Sequence, residues 1–231
     1  VPWLFQKEIE IPEEWEVVKL DSICDQIQDM DHKMPKKIEK GIPFLSIGDI
    51  VNKPEIDFSN QEFISEEDYS KFLKKLQPQK NDLLYSRVAT IGESRIIRER
   101  KKFAFTYNVV LIKTSDKIES MFLKYALDFP IIKNRVKSIA PLGAYPFLGL
   151  GDIGKIMIIL PSLPEQQTIA SILSNVDNLI QNTDKLIEKT TRLKKGLMQE
   201  LLTRGIGHTT FKKVPWLFQK EIEIPEEWEV V

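Results

Sequence analysis

Two hydrophobic patterns follow one another along the chain. The first consists of short apolar segments rich in Val, Ile, Phe and Tyr, which is typical of β-strands. These segments are residues 16–20, 43–47, 82–85, 94–97, 103–105, 109–112 and 156–160. Residues 65–76 and 120–136 have helical spacing instead. The pattern predicts an α+β domain over residues 1–160, with a mainly antiparallel or mixed sheet.

The second pattern is a seven-residue repeat. Residues 160–164 read LPSLP, and residues 165–203 then contain no proline and a single glycine, Gly196. Position a of the heptad holds Ile169, Val176, Thr183, Thr190 and Leu197, and position d holds Ile172, Leu179, Leu186 and Leu193. A flanking stripe consists of Leu173, Ile180, Ile187 and Leu201. This spacing predicts a coiled-coil helix. We assign residues 161–206 to it, with Gly205 as a normal stop.

A helix of this length needs a partner. Residues 165–203 would extend ~58 Å, which exceeds the diameter of a small domain. A long helix with an uncovered apolar stripe is not stable alone. The stripe is wider than a two-helix seam requires, so we expect one face on a partner helix and another on a different surface. Packing on its own domain is the alternative, and the length disfavours it.

An exact repeat frames the chain. VPWLFQKEIEIPEEWEVV stands at residues 1–18 and again at residues 214–231. Such identity indicates a recent origin by duplication, recombination or design. Residues 207–231 therefore form a tail with two open interpretations: a frayed terminus, or a segment that occupies a strand position on another subunit.

Charge is distributed unevenly. The whole chain carries −1, and each copy of the repeat carries −4, which leaves +7 on residues 19–213. Local excess matters more than net charge for binding a polyanion, so nucleic acid remains a candidate partner. Cys24 is the single cysteine, so no internal disulfide forms, and we expect a cytoplasmic protein. No apolar run reaches the roughly 20 residues of a membrane helix.

Polar and basic residues recur in the predicted loops and links. Such side chains neutralise phosphates, and Arg, Asn and Tyr also contact bases. The candidates are Lys33, Lys36 and Lys37; Arg87 and Arg95; Tyr107 and Asn108; and Arg135, Lys137 and Tyr145. Each alone is an ordinary surface residue, and the sequence does not place them on one face.

Catalytic patterns are incomplete. Residues 149–155 read GLGDIGK, like a nucleotide-phosphate loop, but Ile156 stands where Ser or Thr would hold magnesium. We expect a strand to follow, leaving no helix N-terminus for a phosphate. The Asn/Asp-Pro-Pro-aromatic tetrapeptide of methyltransferases does not occur. His32 and His208 lie too far apart to suggest a metal site. The sequence predicts a protein without catalytic residues, metal or cofactor.

Four segments carry a resemblance to a family. IPEEWEVVKLDSI (11–23), GIPFLSIGDI (41–50), NDLLYSRVATIGESRII (81–97) and LGLGDIGKIMIILPSLPEQQTIASILSNVD (148–177) resemble the DNA-specificity subunit of type I restriction-modification systems. The resemblance implies a non-catalytic target-recognition domain followed by a conserved helix, with this pair present twice. It also implies an antiparallel coiled coil, docking of a methyltransferase subunit and through it a restriction subunit, and double-stranded DNA with a two-part target.

The chain departs from that pattern because it contains one domain and one helix, and then only the repeat. We therefore expect a homodimer with antiparallel helices, which would read a symmetric target. By position, Arg87, Thr90, Arg95 and Tyr145 match the family's DNA-facing loops. Two alternatives remain: a coiled-coil scaffold whose globular head binds protein, and a recognition fragment with methyltransferase function.

Overall fold

The computed structural model describes residues 2–3, 7–8, 10–30, 34–59, 62–99, 101–140, 146–216 and 220–230. The chain divides into two compact units, Val1–Leu173 and Ser174–Val231. Small sheets and short helices make up the first unit, and a long helix begins within it. The predicted α+β class is confirmed.

The elements are as follows. The strands of the first unit are β1 (Pro2–Trp3), β2 (Lys7–Glu8), β3 (Glu16–Lys19), β4 (Cys24–Asp29), β5 (Ile42–Leu45), β6 (Glu62–Ile64), β7 (Leu83–Ser86), β8 (Ser94–Ile96), β9 (Ala104–Phe105), β10 (Val109–Thr114) and β11 (Met157–Leu160). Its helices are α1 (Glu66–Leu73), α2 (Ser120–Asp128), α3 (Pro130–Ile139) and α4 (Leu150–Gly154). Helix α5 (Leu163–Arg204) continues into the second unit, where β12 (Phe211–Trp216) and β13 (Lys220–Pro225) follow.

A four-stranded antiparallel sheet, in the order β4-β10-β7-β8, separates two hydrophobic clusters. Along β10, Val110 and Ile112 enter the cluster that includes α2 and α3 residues, whereas Val109 and Leu111 enter the other. Successive side chains of a strand point to opposite faces, so burial of both faces requires a continuous apolar run. The sequence LLYS of β7 and VVLI of β10 meets this requirement.

The second cluster is covered by a mixed sheet and by α1. Strand β5 pairs antiparallel with β6 and parallel with β9. Phe72 of α1 packs edge-on against Phe105 of β9, with ring centroids 5.1 Å apart. The helix begins at Ser65, whose hydroxyl accepts the Asp68 backbone N–H at 3.0 Å. That contact satisfies one of the open N–H groups of the first turn.

The predicted helix over residues 120–136 is two helices, α2 and α3. Phe129 separates them in an extended-type conformation, with φ −59° and ψ 127°. Its conformation follows from Pro130, because a residue before proline avoids the helical region. Pro130 then occupies the first turn of α3, where its missing N–H costs nothing.

Seven of these elements were not predicted: β1, β2, β4, β6, α4, β12 and β13. Strand β4 reads CDQIQD and lacks an apolar run, yet it pairs with β10 from Asp29 opposite Val110 to Cys24 opposite Thr114, with a register shift near the end. Its extended conformation is set by that neighbour, which already presents a hydrogen-bonding edge. Tertiary pairing here overrides a weak local preference.

Gln166 ties the first turn of α5 to the first unit. Its side chain is 1% exposed, and its Oε1 accepts the Glu119 backbone N–H at 2.9 Å. Its amide nitrogen donates to the carbonyls of Pro161 (2.9 Å) and Lys117 (3.2 Å). One residue earlier, Glu165 accepts the indole N–H of Trp15 at 3.0 Å. The EQ pair after the second proline of the linker is therefore a structural joint.

Helix α5 runs 42 residues, or ~63 Å, and ends at Arg204, just before Gly205, whereas the predicted helix covered residues 161–206. Gly205 has φ +66°, and its N–H donates to Leu201 O at 3.2 Å. A positive φ is accessible to glycine without the steric cost that other residues meet. No helix of the described ranges is both long and apolar enough to cross a membrane.

The second copy of the repeat lies in an antiparallel hairpin of β12 and β13. Pro215 faces Glu221 and Trp216 faces Lys220. In the first copy, the matching pairs Pro2 with Glu8 and Trp3 with Lys7 have the same register between β1 and β2. Residues 211–216 and 220–225 of the tail are thus strands, and the two residue pairs described in the first copy have the same register as their counterparts in the second.

Candidate nucleic-acid interface

One end of the central sheet gathers several predicted loops. Strand β10 begins with Val109 opposite Ser86, the last residue of β7, and Val110 lies opposite Asp29, the last residue of β4. The loop after β7, the turn before β10 and the segment after β4 therefore leave the sheet at one end. An isolated bridge between Val88 and Phe147 joins residues 146–148 to this group. We call the set Arg87, Thr90, Tyr107, Asn108 and Phe147 the loop edge.

Arg87 is the buried centre of the loop edge. It is 3% exposed, and its Nη1 donates to the Asp29 carboxylate at 2.6 Å. Its guanidinium carbon lies 4.5 Å from the centroid of the Phe147 ring. A buried charge needs a partner, and breaking such a pair costs ~3–5 kcal/mol. This placement differs from the expected base contact, because Arg87 holds neighbouring loops together instead.

Backbone hydrogen bonds reinforce this joint. The N–H of Arg87 donates to Asn108 O at 3.1 Å, and the N–H of Leu148 donates to Arg87 O at 2.9 Å. The N–H of Ala89 donates to Pro146 O at 2.9 Å. Ala89 adopts φ +59°, an uncommon conformation for a non-glycine residue. The loop that carries Thr90 therefore has a defined path, and Thr90 itself is exposed.

Arg95 also lies inside the domain. Its Nε donates to Lys53 O at 2.6 Å and its Nη2 lies 3.2 Å from a Glu93 carboxylate oxygen. Glu93 in turn accepts from Lys133 of α3 at 2.9 Å. Burial alone would raise the pKa of Glu93, but Lys133 and Arg95 outweigh it and lower that pKa. Arg95 is thus held by Lys53 and Glu93 and is not presented at the surface.

A groove of about 560 Å³ continues from the end of β4. Met30 follows Asp29 directly and lines the groove together with Lys36, Lys71 and Lys75. We call it the lysine groove. Lys36 is exposed, whereas Lys71 is paired with Glu67 at 2.8 Å. Lys37 is exposed on the same segment and forms an ion pair with Glu62. Exposed lysines of this kind suit phosphate contacts, which position DNA without reading its sequence.

The remaining predicted DNA-binding residues fall into three groups. Tyr107 and Asn108 are half-buried at the loop edge, whereas Arg135 and Lys137 are exposed on α3. Arg135 lines a different groove with Asp152 and Lys155. Lys33 and Tyr145 are outside the described residues. The structure therefore groups Arg87, Thr90, Tyr107 and Asn108 at the loop edge, whereas Arg135 and Lys137 belong to helix α3.

The glycine-rich segment contains a short helix, contrary to our expectation that no helix N-terminus is available there. Gly149 precedes α4, and the helix ends at Gly154, before Lys155. The predicted strand, β11, then follows. A phosphate-binding loop needs its helix after the lysine, so the order of elements is reversed here. Within the described ranges, no group of three or more His, Cys, Asp and Glu residues is arranged to hold a metal ion.

The apolar stripe of α5 lies uncovered within this chain beyond the first turns. Ile169 is half-buried and packs against the core of the first unit. The other predicted interface residues are exposed: Ile172, Leu173, Val176, Leu179, Ile180, Leu186, Ile187, Leu193, Leu197 and Leu201. A stripe of this length marks an interaction surface, because monomeric proteins rarely expose contiguous apolar patches.

Three residues of these sites were not predicted: Asp29, Phe147 and Gln166. Asp29 ends a strand that has no apolar pattern, so its pairing with Arg87 has no local signal. Phe147 lies two residues after Tyr145, and its hydrophobic side chain gives no sign in the sequence of a contact with Arg87. The two consecutive glutamines after LPE were the strongest local signal, since a polar pair at a helix start often makes specific contacts.

These features define a class: an α+β recognition-type domain whose loops converge at one sheet end, followed by a long helix with an uncovered apolar face. The sequence profile described as "Type I restriction modification DNA specificity domain" matches residues 12–192. The chain belongs to this family, and the predicted family is confirmed.

Several relatives with significant sequence identity are specificity subunits of type I restriction enzymes. The chain is 34% identical over 233 residues to a putative type I restriction enzyme MjaX specificity subunit of Methanocaldococcus jannaschii, covering 96% of this chain and 52% of the relative. It is 33% identical over 235 residues to the MjaVIII specificity subunit of the same organism, covering 96% and 49%. The EcoBI specificity subunit of Escherichia coli is 29% identical over 163 residues, covering 69% and 34%. The chain spans about half the length of the first two.

Solved structures share the fold. The S subunit of a type I restriction-modification system from M. genitalium superposes with a TM-score of 0.58 at 18% identity, covering 84% of this chain and 47% of that one. The HsdS subunit from Thermoanaerobacter tengcongensis gives 0.54 at 18% identity, covering 83% and 46%. A chain from a study of type I complex assembly and conformational transition gives 0.60, covering 86% and 48%.

Proposed function

We propose that this chain recognises a specific DNA sequence as the specificity component of a type I restriction-modification complex. The observation that carries the proposal is the family match over residues 12–192, which runs from the first unit into α5. The exposed lysines and the loop edge supply phosphate-type and polar side chains on the same domain. A modification (methyltransferase) subunit, and through it a restriction subunit, would supply the chemistry. The cytoplasm, where that DNA lies, is the proposed location.

The two heptad positions of α5, which we call its seam, support a homodimer. Two copies packed antiparallel about a point between Asp184 and Lys185 bring the two heptad positions of one helix against those of the other. The opposing residues are Ile172 with Leu197, Val176 with Leu193, Leu179 with Thr190, and Thr183 with Leu186. Each threonine then faces a leucine, so no layer is wholly polar. The flanking Ile180 and Ile187 stay available for another subunit.

A twofold dimer implies a symmetric target. Two identical domains related by a twofold axis read inverted copies of one half-site. The length of α5, ~63 Å, sets the upper limit for the separation of those half-sites. We therefore expect an interrupted palindrome, with a gap that the protein spans without base contacts.

The target can be read directly. The chain is produced together with its modification subunit in cells without other DNA methylation, co-purification establishes the complex, and methylated positions are mapped by single-molecule sequencing. The expected result is one interrupted palindromic motif. An asymmetric two-part motif would contradict the homodimer. A purified complex that leaves the genome unmethylated, or methylates it without sequence preference, would contradict the recognition function and favour the scaffold alternative.

The dimer has its own test. Leu179 is 67% exposed, and full burial of a leucine is worth ~1.5–3 kcal/mol, so Leu179→Ala removes ~1–2 kcal/mol from each of two copies. The dimer dissociation constant should rise roughly 30- to 1000-fold. Leu202 is a matched control, since it is 69% exposed but stands about 140° around the helix from Leu197. Sedimentation equilibrium that finds equal effects of Leu179→Ala and Leu202→Ala would refute this seam.

A further inference from the structure

Phe147 is an exposed aromatic residue on a firmly held backbone. Its side chain is 43% exposed. It forms the bridge with Val88, and its two neighbours make hydrogen bonds across the same gap: Pro146 O accepts from Ala89, and Leu148 N–H donates to Arg87 O, both at 2.9 Å. The backbone at Phe147 is therefore fixed from both sides.

One face of the Phe147 ring is occupied from within the protein. The Arg87 guanidinium lies 4.5 Å from the ring centroid, and Asp29 holds that guanidinium at 2.6 Å. A cation over an aromatic face is attractive, and more so where water is excluded. Because Arg87 is buried beneath it, the ring cannot turn inward without displacing a buried ion pair. A side chain ordered before binding loses little conformational entropy when it binds.

The surroundings of Phe147 suit DNA. Asn108 and the exposed Thr90 belong to the same loop edge, and the lysine groove starts at Met30, next to Asp29. Apolar side chains that enter between base pairs unstack one step and bend the duplex. Such a wedge selects sequences whose steps are easily deformed, without hydrogen bonds to base edges.

We propose that Phe147 inserts at a base step of the target duplex, with Arg87 and Asp29 as residues that position its ring. The inference rests on the proposed DNA-recognition function and deepens it. Phe147 contributes specificity through deformation of DNA, and Arg87 affects that specificity through the position of the Phe147 ring.

The test uses the complex of the chain with its modification subunit. The duplexes are unmethylated, contain the motif found by methylation mapping, and carry 2-aminopurine at successive positions. Wild-type protein should increase fluorescence at one step of each half-site, because 2-aminopurine brightens when unstacked. Phe147→Ala should abolish that signal and weaken binding to the motif about tenfold, with binding to unrelated duplex changed less than about twofold. Phe147→Tyr should retain the signal.

Two further variants separate wedge insertion from general damage. Phe129 has the same residue type and the same 43% exposure, but it joins α2 to α3, so Phe129→Ala should leave the fluorescence signal unchanged. Arg87→Lys keeps a positive charge near Asp29 but loses the planar group under the ring, so it should reduce the fluorescence signal in protein that still folds and assembles with the modification subunit.

The outcomes are distinguishable. Wild-type complex that binds the motif without a fluorescence change, or Phe147→Ala that binds like the wild type, overturns the wedge and leaves the recognition function standing. Arg87→Lys with the full wild-type signal overturns the positioning role. Wild-type complex with no preference for the motif overturns the proposed function and this inference with it.

Discussion

Replacing Gln166 tests how α5 is joined to the first unit. Its side chain makes three hydrogen bonds, all to backbone groups: the Glu119 N–H and the carbonyls of Pro161 and Lys117. Glu119 also caps α2, since its carboxylate accepts the Phe122 N–H at 2.6 Å. One side chain therefore connects the linker, the start of α2 and the first turn of α5.

The expected loss in the free energy of unfolding follows from those three hydrogen bonds. A net hydrogen bond is worth ~0.5–1.5 kcal/mol, and a buried group left without a partner costs ~1–3 kcal/mol. Gln166→Ala should therefore lower the free energy of unfolding by about 3 kcal/mol. Gln166→Glu should cost at least as much, because a carboxylate would replace the donor that faces two carbonyl oxygens.

The assay combines urea unfolding with amide hydrogen exchange. Exchange at the Glu119 amide should accelerate in Gln166→Ala, since its acceptor is gone. Gln167→Ala is the matched control, because Gln167 is the next residue and is exposed; its effect should stay within about 0.5 kcal/mol. The reasoning would be refuted if both variants unfolded alike, or if Glu119 stayed as protected as in the wild type.

Three further predictions concern single side chains. Lys133 and Arg95 lower the pKa of Glu93 below its usual 4.5. The ionised Glu93 therefore stabilises the fold fully above pH 4.5, and this stabilisation is lost as the pH falls through the lowered pKa. In Glu93→Gln the thermal midpoint should decrease less below pH 4.5 than it does in the wild type. Burial, with Asp25 and Asp21 nearby, raises the pKa of Cys24 from 9.0 to about 12. The reactive thiolate is therefore scarcer at pH 8 than in urea, and alkylation should be at least about tenfold slower; comparable rates would contradict this. Lys36→Ala should weaken binding to all DNA sequences alike and reduce the salt dependence by about one ion, and a loss restricted to the motif would argue against a phosphate contact.

Elements with a periodic pattern were predictable, and elements imposed by neighbours were not. The seven-residue spacing of α5 and the glycine at its end are local signals, as are the apolar runs of β7 and β10. Strand β4 has no such run, because its conformation comes from pairing with β10. The break between α2 and α3 had a signal, Pro130, that helical spacing alone obscures.

The candidate site shows the same division. The loops were identified by residue type, and the sheet topology that gathers Arg87, Thr90, Tyr107 and Asn108 depends on strand order. Residue type alone also does not distinguish a buried arginine from an exposed one, because both are counted as basic residues in the sequence. Arg87 is buried because Asp29, 58 positions earlier in the chain, ends a strand beside it. That contact is visible only once β4 has been placed.

The matching hairpins at the two copies of the repeat bear on how such proteins diversify. Because both copies fold in the same register, a genetic crossover between one copy and the other joins equivalent points of one hairpin. Helix α5, its glycine stop and the strands that follow would continue without interruption across the junction. A single event of this kind adds a whole recognition domain with its helix. The resulting protein would carry two recognition domains that can change independently, and the palindromic target that we propose would be replaced by one with two unrelated halves.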